Sequence, residues 1–221
     1  MNRALTFFHS SIGKKVVMAL TGVVLFGYTV GHMAGNLLIF RGSEAINEYS
    51  AFLRTSPRLL WGTRILLLAA VSLHILCAVQ LARKKNSARP IAYASRGAAN
   101  PSYASRTMYW SGPFIAAFVL FHLAHLTFGW KVVPPAFIEG DVYANLVNGF
   151  RVVPVALFYI AACAALGLHL IHGAWSMFQT VGLNHPRYNR GLREFARVAT
   201  AIVAGGFILV PVAVLLGIVK P

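Results

Sequence analysis

Five long apolar runs limit what this chain can fold into. They cover residues 15–40, 60–81, 108–130, 152–179 and 196–218. A helix of about 20 apolar residues spans the hydrocarbon core of a bilayer, and each run approaches or exceeds that length. Backbone polar groups in that core must be satisfied within the segment, so such runs predict helices rather than open strands. We therefore expect an all-α membrane protein with five transmembrane helices.

The composition leaves no room for a separate soluble domain. Of the 221 residues, 57% are hydrophobic and only 11% are charged, and the mean hydropathy is +0.65. Soluble domains contain about 25% charged residues. The first run is longer than the apolar part of a signal peptide and has no small-residue cleavage site, so we expect it to be retained. Residues 1–221 are predicted to form one membrane domain.

The basic residues are distributed unevenly between the two sides of the predicted membrane. Net charge is +15, from twenty Lys and Arg residues and five acidic ones. Thirteen of the basic residues lie within residues 1–15, in the loop 83–107 or in the segment 187–197. Basic loops stay on the cytoplasmic side, so the N-terminus is predicted to be cytoplasmic. This rule explains the charge without a nucleic-acid partner and implies contact with membrane lipid instead.

Proline and glycine residues mark the predicted helix ends. Gly42 follows the first run, Pro57 precedes the second, and Gly112–Pro113 is expected in the first turns of the third. The pair at 134–135 is expected to close the third helix, and Pro186 to follow the fourth.

Six of the eight histidines fall inside the apolar runs. Four runs contain at least one of them and the fifth contains none; the six are His32, His74, His122, His125, His169 and His172. A polar ring inside a bilayer is costly unless it has a partner or a function. A single such histidine is often only a hydrogen-bonded core residue, but four on four helices indicate a shared function.

The depth of each histidine follows from the rise of 1.5 Å per helical residue. His32 and His122 lie about 25 and 21 Å from the cytoplasmic ends of outward-running helices. His74 and His169 lie about 20 and 25 Å from the outer ends of inward-running helices. The first pair is therefore predicted in the outer half of the membrane and the second pair in the inner half.

Two histidine pairs at two depths are typical of bis-histidine ligation of two b-type haems. A bundle of the first four helices would supply these ligands from facing side chains. Cys77 and Cys163 form neither a CxxC nor a CxxCH motif, so the haems would be bound non-covalently. Glycines 27, 31 and 35 recur every four residues, which suits either close approach of a porphyrin or tight helix packing.

Other uses of the histidines have weaker support from the sequence. HLAH (122–125) and HLIH (169–172) have HxxH spacing, but no HH pair or intramembrane carboxylate accompanies them as a di-iron site would require. Zinc lacks nearby Cys or carboxylate ligands as well. A haem-free transporter with a histidine proton relay is a further alternative.

The chain resembles the membrane cytochrome b subunit of succinate:quinone oxidoreductases, in its single-chain, five-helix, two-haem form. The segments that carry the resemblance are SSIGKKVVMALTG (10–22), GHMAGNL (31–37), NEYSAFLR (47–54), YASRTMYWSG (103–112), FHLAH (121–125) and HLIHGAWS (169–176). The resemblance implies the same helix pairing: His32 with His122 at the outer haem, and His74 with His169 at the inner haem. It also implies that His125 and His172 border the haems without ligating iron. Propionate partners do not transfer, because residues 18–21 depart from the polar pair of some relatives.

The resemblance further implies a partner complex. The chain has no flavin motif, cluster-forming cysteines or dicarboxylate site, so it would not oxidise succinate by itself. It would anchor a flavoprotein and an iron–sulfur subunit to a bacterial cytoplasmic membrane and pass electrons between the iron–sulfur subunit and a quinone, with menaquinone expected. Glu44, Glu48 and Tyr49 are candidates for proton transfer at the quinone, or form an interfacial loop face. A cytochrome b anchor of a hydrogenase or a formate dehydrogenase is the alternative.

Overall fold

All the regular secondary structure in the described part of the chain is helical. The computed structural model describes residues 7–87, 103–130, 133 and 136–221. Its α-helices are α1 (Ser11–Asn36), α2 (Ser43–Arg54), α3 (Pro57–Ser87), α4 (Tyr103–Leu126), α5 (Val142–Arg151), α6 (Val153–Thr180) and α7 (Pro186–Leu215). A 3₁₀ turn, Leu37–Arg41, joins α1 to α2. The helices α1, α3, α4, α6 and α7 are long and apolar enough to cross a membrane, which confirms the predicted class with five spans.

The last helix begins ten residues earlier than the apolar run predicts. Pro186 follows the fourth span, as predicted, and it is also the first residue of α7. The Nδ1 of His185 accepts a hydrogen bond from the backbone N–H of Arg187 at 3.2 Å and so caps the helix. Proline is favoured in the first helical turn because it has no N–H to leave unpaired. Hydropathy alone does not predict the first turns of α7, because these turns are charged.

The third span is also displaced from its predicted bounds. It starts at Tyr103, within the predicted loop 83–107, so Pro113 lies inside the helix rather than in its first turns. It ends at Leu126, where the N–H groups of Thr127 and Phe128 both donate to the carbonyl of Leu123. Gly129 then adopts a φ of +60°, a left-handed conformation that glycine tolerates. Residues 88–102 of the loop and the predicted stop at 134–135 lie outside the described residues.

The spans pack around α1 and α6. The helix α1 packs against α3 and α6, and α6 packs in addition against α4 and α7. The fifth span, α7, comes close to both central helices at small residues. A Cβ added at Gly167 of α6 would lie 3.1 Å from Ala204, and one at Gly206 would lie 2.5 Å from the sulfur of Met33. Small residues allow such close approach between membrane helices.

The two short helices cover one end of this assembly. The helices α2 and α5 pack against each other, and α5 also contacts α6 and α7. Ile46 of α2 and Val147 and Phe150 of α5 are buried together with Ile39 and Val214. Neither short helix was predicted, because each is amphipathic and about half the length of a span. Together they form the main apolar core of the described residues.

A polar clasp holds the two short helices together. Asn47 of α2 donates from Nδ2 to the Asp141 carboxylate at 3.0 Å, and its Oδ1 accepts from the backbone N–H of Tyr143 at 3.0 Å. Asp141 caps α5 by accepting from the N–H of Ala144 at 2.9 Å. The hydrogen bond from Ala144 and that from Asn47 hold the pKa of Asp141 below its usual range. The side-chain amide of Asn47 thus forms hydrogen bonds with both the cap residue and the backbone of the first turn of α5.

Replacing Asn47 with alanine is expected to loosen this end of the molecule. The change removes one hydrogen bond from the backbone N–H of Tyr143 and one from the Asp141 carboxylate, and each such bond contributes about 0.5–1.5 kcal/mol. We expect a lower thermal-unfolding midpoint for the detergent-solubilised protein. Asn184→Ala is the matched control, because exposed Asn184 accepts only from the side chain of Asn189 at the other end of α6. Equal midpoints for the two variants would contradict the role assigned to the clasp.

Candidate bis-histidine sites

The first histidine pair joins α1 to α4. The ring centroids of His32 and His122 are 5.8 Å apart, with an interplanar angle of 82°. Tyr28, one turn earlier on α1, stacks on His32 at 5.5 Å and 10°. Phe207 of α7 lies 5.7 Å from the His32 ring, and Phe118 lies 5.9 Å from that of His122. The fifth span therefore contributes an aromatic wall to this pair although it contains no histidine.

The second pair joins α3 to α6. The rings of His74 and His169 have centroids 6.4 Å apart and an interplanar angle of 52°. The Nδ1 of His74 is 3.1 Å from the hydroxyl oxygen of Thr21, which itself donates to the Val17 carbonyl at 2.8 Å. The Nδ1 of His169 is 3.4 Å from the hydroxyl oxygen of Ser111. Each ring of this pair thus has an oxygen partner on its Nδ1 side.

Both separations suit two imidazoles on opposite sides of one metal ion. A metal–imidazole bond is about 2 Å long, and each centroid lies about 1 Å behind its nitrogen, which gives about 6 Å between centroids. Among the described residues, no group of three or more His, Cys, Asp or Glu side chains is placed to hold a metal ion. Two protein ligands per site are what an iron needs when a porphyrin occupies its other positions. The donor set therefore fits haem iron.

Hydrogen bonding at Nδ1 would leave Nε2 available to bind a metal ion. Histidines that bind metals usually hold the other ring nitrogen in a hydrogen bond, which fixes the tautomer and the ring orientation. The hydroxyl of Tyr159 is 3.4 Å from Nδ1 of His122 and is the corresponding oxygen partner in the first pair. Three of the four paired histidines, His74, His122 and His169, thus carry an oxygen partner on the nitrogen expected to be protonated.

The glycine stripe of α1 divides into two parts. A Cβ added at Gly35 would lie 2.7 Å from the Tyr49 ring, so this glycine serves close packing against α2. A Cβ at Gly27 or Gly31 would meet no described atom within 4 Å. The packing interpretation therefore holds only for Gly35. Open space beside the other two glycines is what close approach of a flat ring requires.

The structure separates the duplicate histidines from the paired ones. His125 is only 7% exposed, and its Nδ1 is 3.0 Å from the Tyr159 hydroxyl. Its Nε2 faces α5, where a Cβ added at Gly149 would lie 2.7 Å away. His172 is half-buried, one turn beyond the ring that faces His74.

Three hydroxyl residues of these sites were missed in the sequence, and a spacing could have found two of them. Thr21 precedes His32 by 11 residues, and Ser111 precedes His122 by the same interval. Eleven residues make slightly more than three helical turns, so each hydroxyl lies on the histidine face of its helix, about 16 Å away. Both helices of the first pair therefore also serve the second pair. No comparable sequence signal marks Tyr159.

The candidates for proton transfer lie on α2. Glu44, Glu48 and Tyr49 are exposed, and Tyr49 is the residue that packs on Gly35 one turn beyond His32. They share the end of the molecule at which the first histidine pair lies. Their part in quinone chemistry stays a prediction.

The opposite end of α7 carries a basic cluster. Arg190, Arg193 and Arg197 border a surface depression with a volume of about 380 Å³. Arg193 lies over the Trp175 ring at 4.5 Å, and Arg197 pairs with Glu194 at 2.7 Å. These residues belong to the segment that the charge distribution assigns to the cytoplasmic side.

Five helices long and apolar enough to cross a membrane, four of which carry the paired histidines, indicate a multi-pass membrane protein. Residues 84–217 match the family described as succinate dehydrogenase/fumarate reductase transmembrane subunit. The match covers more than half of the chain, so the chain belongs to this family, and the family resemblance is confirmed. No curated protein and no solved structure matches the chain. The matched region contains His122 and His169, whereas His32 and His74 precede it.

Proposed function

We propose that the chain is the membrane anchor and di-haem electron-transfer subunit of succinate:quinone oxidoreductase, respiratory complex II. The observation that carries this proposal is the meeting of four histidines, from four different spans, in two ring pairs of 5.8 and 6.4 Å. Family membership supports the succinate or fumarate chemistry of the complex. It favours this assignment over an anchor of a hydrogenase or a formate dehydrogenase.

Each histidine pair would hold one b haem. His74 and His169 would bind the inner haem, and His32 and His122 the outer one, through their Nε2 atoms. When bound, the two haems supply one-electron transfer between the two halves of the membrane. The hydroxyl oxygens of Thr21, Ser111 and Tyr159 would accept hydrogen bonds from the Nδ1–H groups of the ligand rings and so keep these rings oriented. The surrounding apolar side chains, such as Phe118 and Phe207, exclude water from the outer site.

The partners follow from the family and from the charge distribution. A membrane subunit of this family implies a flavoprotein and an iron–sulfur subunit as its soluble partners. The basic cluster of Arg190, Arg193 and Arg197 suits contact with an acidic protein surface at the cytoplasmic face. Quinone, with menaquinone expected, is the membrane substrate, and the bacterial cytoplasmic membrane is the proposed location. Residues 1–221 would act as one domain in this role.

Isolation of the complex through a tag on this chain tests the proposal. The preparation is expected to contain a flavoprotein and an iron–sulfur protein and to reduce a menaquinone analogue with succinate as the electron donor. A variant with Arg190, Arg193 and Arg197 all changed to glutamine is expected to lose the soluble subunits but to keep both haems. Arg41→Gln, at the opposite end, is the matched control. Copurification of a hydrogenase or a formate dehydrogenase would contradict the assignment.

A further inference from the structure

We propose that Tyr159 is a positioning residue of the outer site, which holds the His122 ring for metal binding and engages His125 so that it is no competing ligand. This inference rests on the proposed function, because it concerns the group that His32 and His122 would hold. The observations behind it are a hydroxyl between two imidazoles, the burial of Tyr159 and His125, and the close approach of Gly149 to the His125 ring.

Tyr159 occupies a fixed place between the helices. It is 5% exposed, and its ring meets those of Phe118 and Phe150 edge to face at 5.0 and 4.9 Å. Its hydroxyl oxygen lies 3.4 Å from Nδ1 of His122 and 3.0 Å from Nδ1 of His125. A buried tyrosine needs a partner for its hydroxyl, and this one has two.

Proton arithmetic gives these hydrogen bonds a direction. A neutral imidazole that binds metal through Nε2 carries its proton on Nδ1, so His122 donates to the Tyr159 oxygen. The single hydroxyl proton of Tyr159 is then free to be donated to Nδ1 of His125. His125 must accept there, so it carries its own proton on Nε2. Each of the three side chains thus carries one proton. The hydrogen bonds run in one direction, from His122 through Tyr159 to His125.

His125 cannot exchange roles with His122 in this arrangement. Its Nδ1 accepts from Tyr159, and its Nε2 and Cε1 lie against the backbone of Gly149, where even a Cβ would come within 2.7 Å. The ring that meets His32 is that of His122. Rotating His125 toward α1 would break its hydrogen bond and leave a buried nitrogen unpaired, which is unfavourable in an apolar site.

The hydrogen bond to Tyr159 has an electronic consequence. An acceptor on the Nδ1–H of a metal-bound imidazole makes the ligand more basic, and second-sphere bonds of this kind tune the metal. A more basic ligand stabilises ferric over ferrous iron, so the bond lowers the midpoint potential of the haem at this site. Tyr159→Phe removes the acceptor but keeps the aromatic ring that packs against Phe118 and Phe150.

Potentiometric titration of the purified complex tests the inference, with the outer haem defined as the one absent from His122→Ala. Tyr159→Phe is expected to keep both haems, to raise the midpoint potential of the outer one, to change its low-spin EPR signal, and to leave the inner one unchanged. Thr21→Val is the matched control and should do the reverse, because Thr21 bonds His74 of the inner pair. Loss of only the outer haem from Tyr159→Phe would also support the positioning role.

Two outcomes would overturn the inference. One is a Tyr159→Phe complex whose two potentials and EPR signals equal those of the parent. The other is an equal shift of both haems, which would indicate a general structural effect. A parent complex without haem would instead refute the proposed function, so the two failures are distinguishable.

Discussion

His169→Ala is expected to lose one of two haems, whereas His172→Ala keeps both. His169 faces His74 at 6.4 Å between centroids and has the Ser111 hydroxyl on its Nδ1 side. His172 lies one turn further along α6, displaced by about 4.5 Å along the helix axis, so it cannot replace the lost ligand. The b-type absorbance per chain should fall by about half in the first variant, as a six-coordinate site loses one of its two protein ligands.

The pair of variants provides its own control for folding. Both substitutions remove an imidazole from the same face of the same helix, so a general effect on α6 would appear in both. The inner haem should be the one missing, and His74→Ala should reproduce its loss. Retention of both haems by His169→Ala, with loss from His172→Ala, would reverse the ligand assignment on this helix.

His122→Ala is the second large effect, and we expect it to abolish binding of the outer haem. His122 meets His32 at 5.8 Å and is oriented by Tyr159, while His125 is held against Gly149 and has no path to the same position. His125→Ala should therefore keep both haems. Haem content and the reduced-minus-oxidised spectrum of the purified variants measure the difference.

His125→Ala is expected to lower thermal stability rather than haem content. This difference distinguishes a packing role of His125 from a ligand role. The substitution removes a buried ring that contacts Phe121, Tyr159 and Gly149, so the thermal-unfolding midpoint should fall. His122→Ala should mainly change haem content. If His125→Ala loses the outer haem while His122→Ala retains it, the ligand on α4 is His125.

Hydropathy predicted the five spans because membrane helices are long and uniformly apolar. It could not predict α2 and α5, since a short amphipathic helix at a membrane surface has neither property. It also placed the start of α7 at 196, because residues 186–195 are helical but charged. There the cap formed by His185 and Pro186 was a better indicator than hydropathy.

Helix rise alone predicted which histidines would lie at the same depth, and the rings that meet are His32 with His122 and His74 with His169. Relative depth can be predicted because each span is a regular helix and successive spans run in opposite directions. The rotation of a helix about its own axis is harder to predict from sequence. Helix geometry therefore did not show whether His122 or His125 faces α1. That choice depends on Tyr159 and Gly149, whose positions follow from how α5 and α6 pack onto α4.

Haem stoichiometry tests the central claim most directly. A pyridine haemochrome assay of the purified chain, normalised to protein by quantitative amino-acid analysis, should give two b haems per chain in the parent. It should give one in His169→Ala, one in His122→Ala and none in the double variant. Two haems in the parent together with these losses would support one haem at each histidine pair. One haem per chain in the parent, or none, would contradict it.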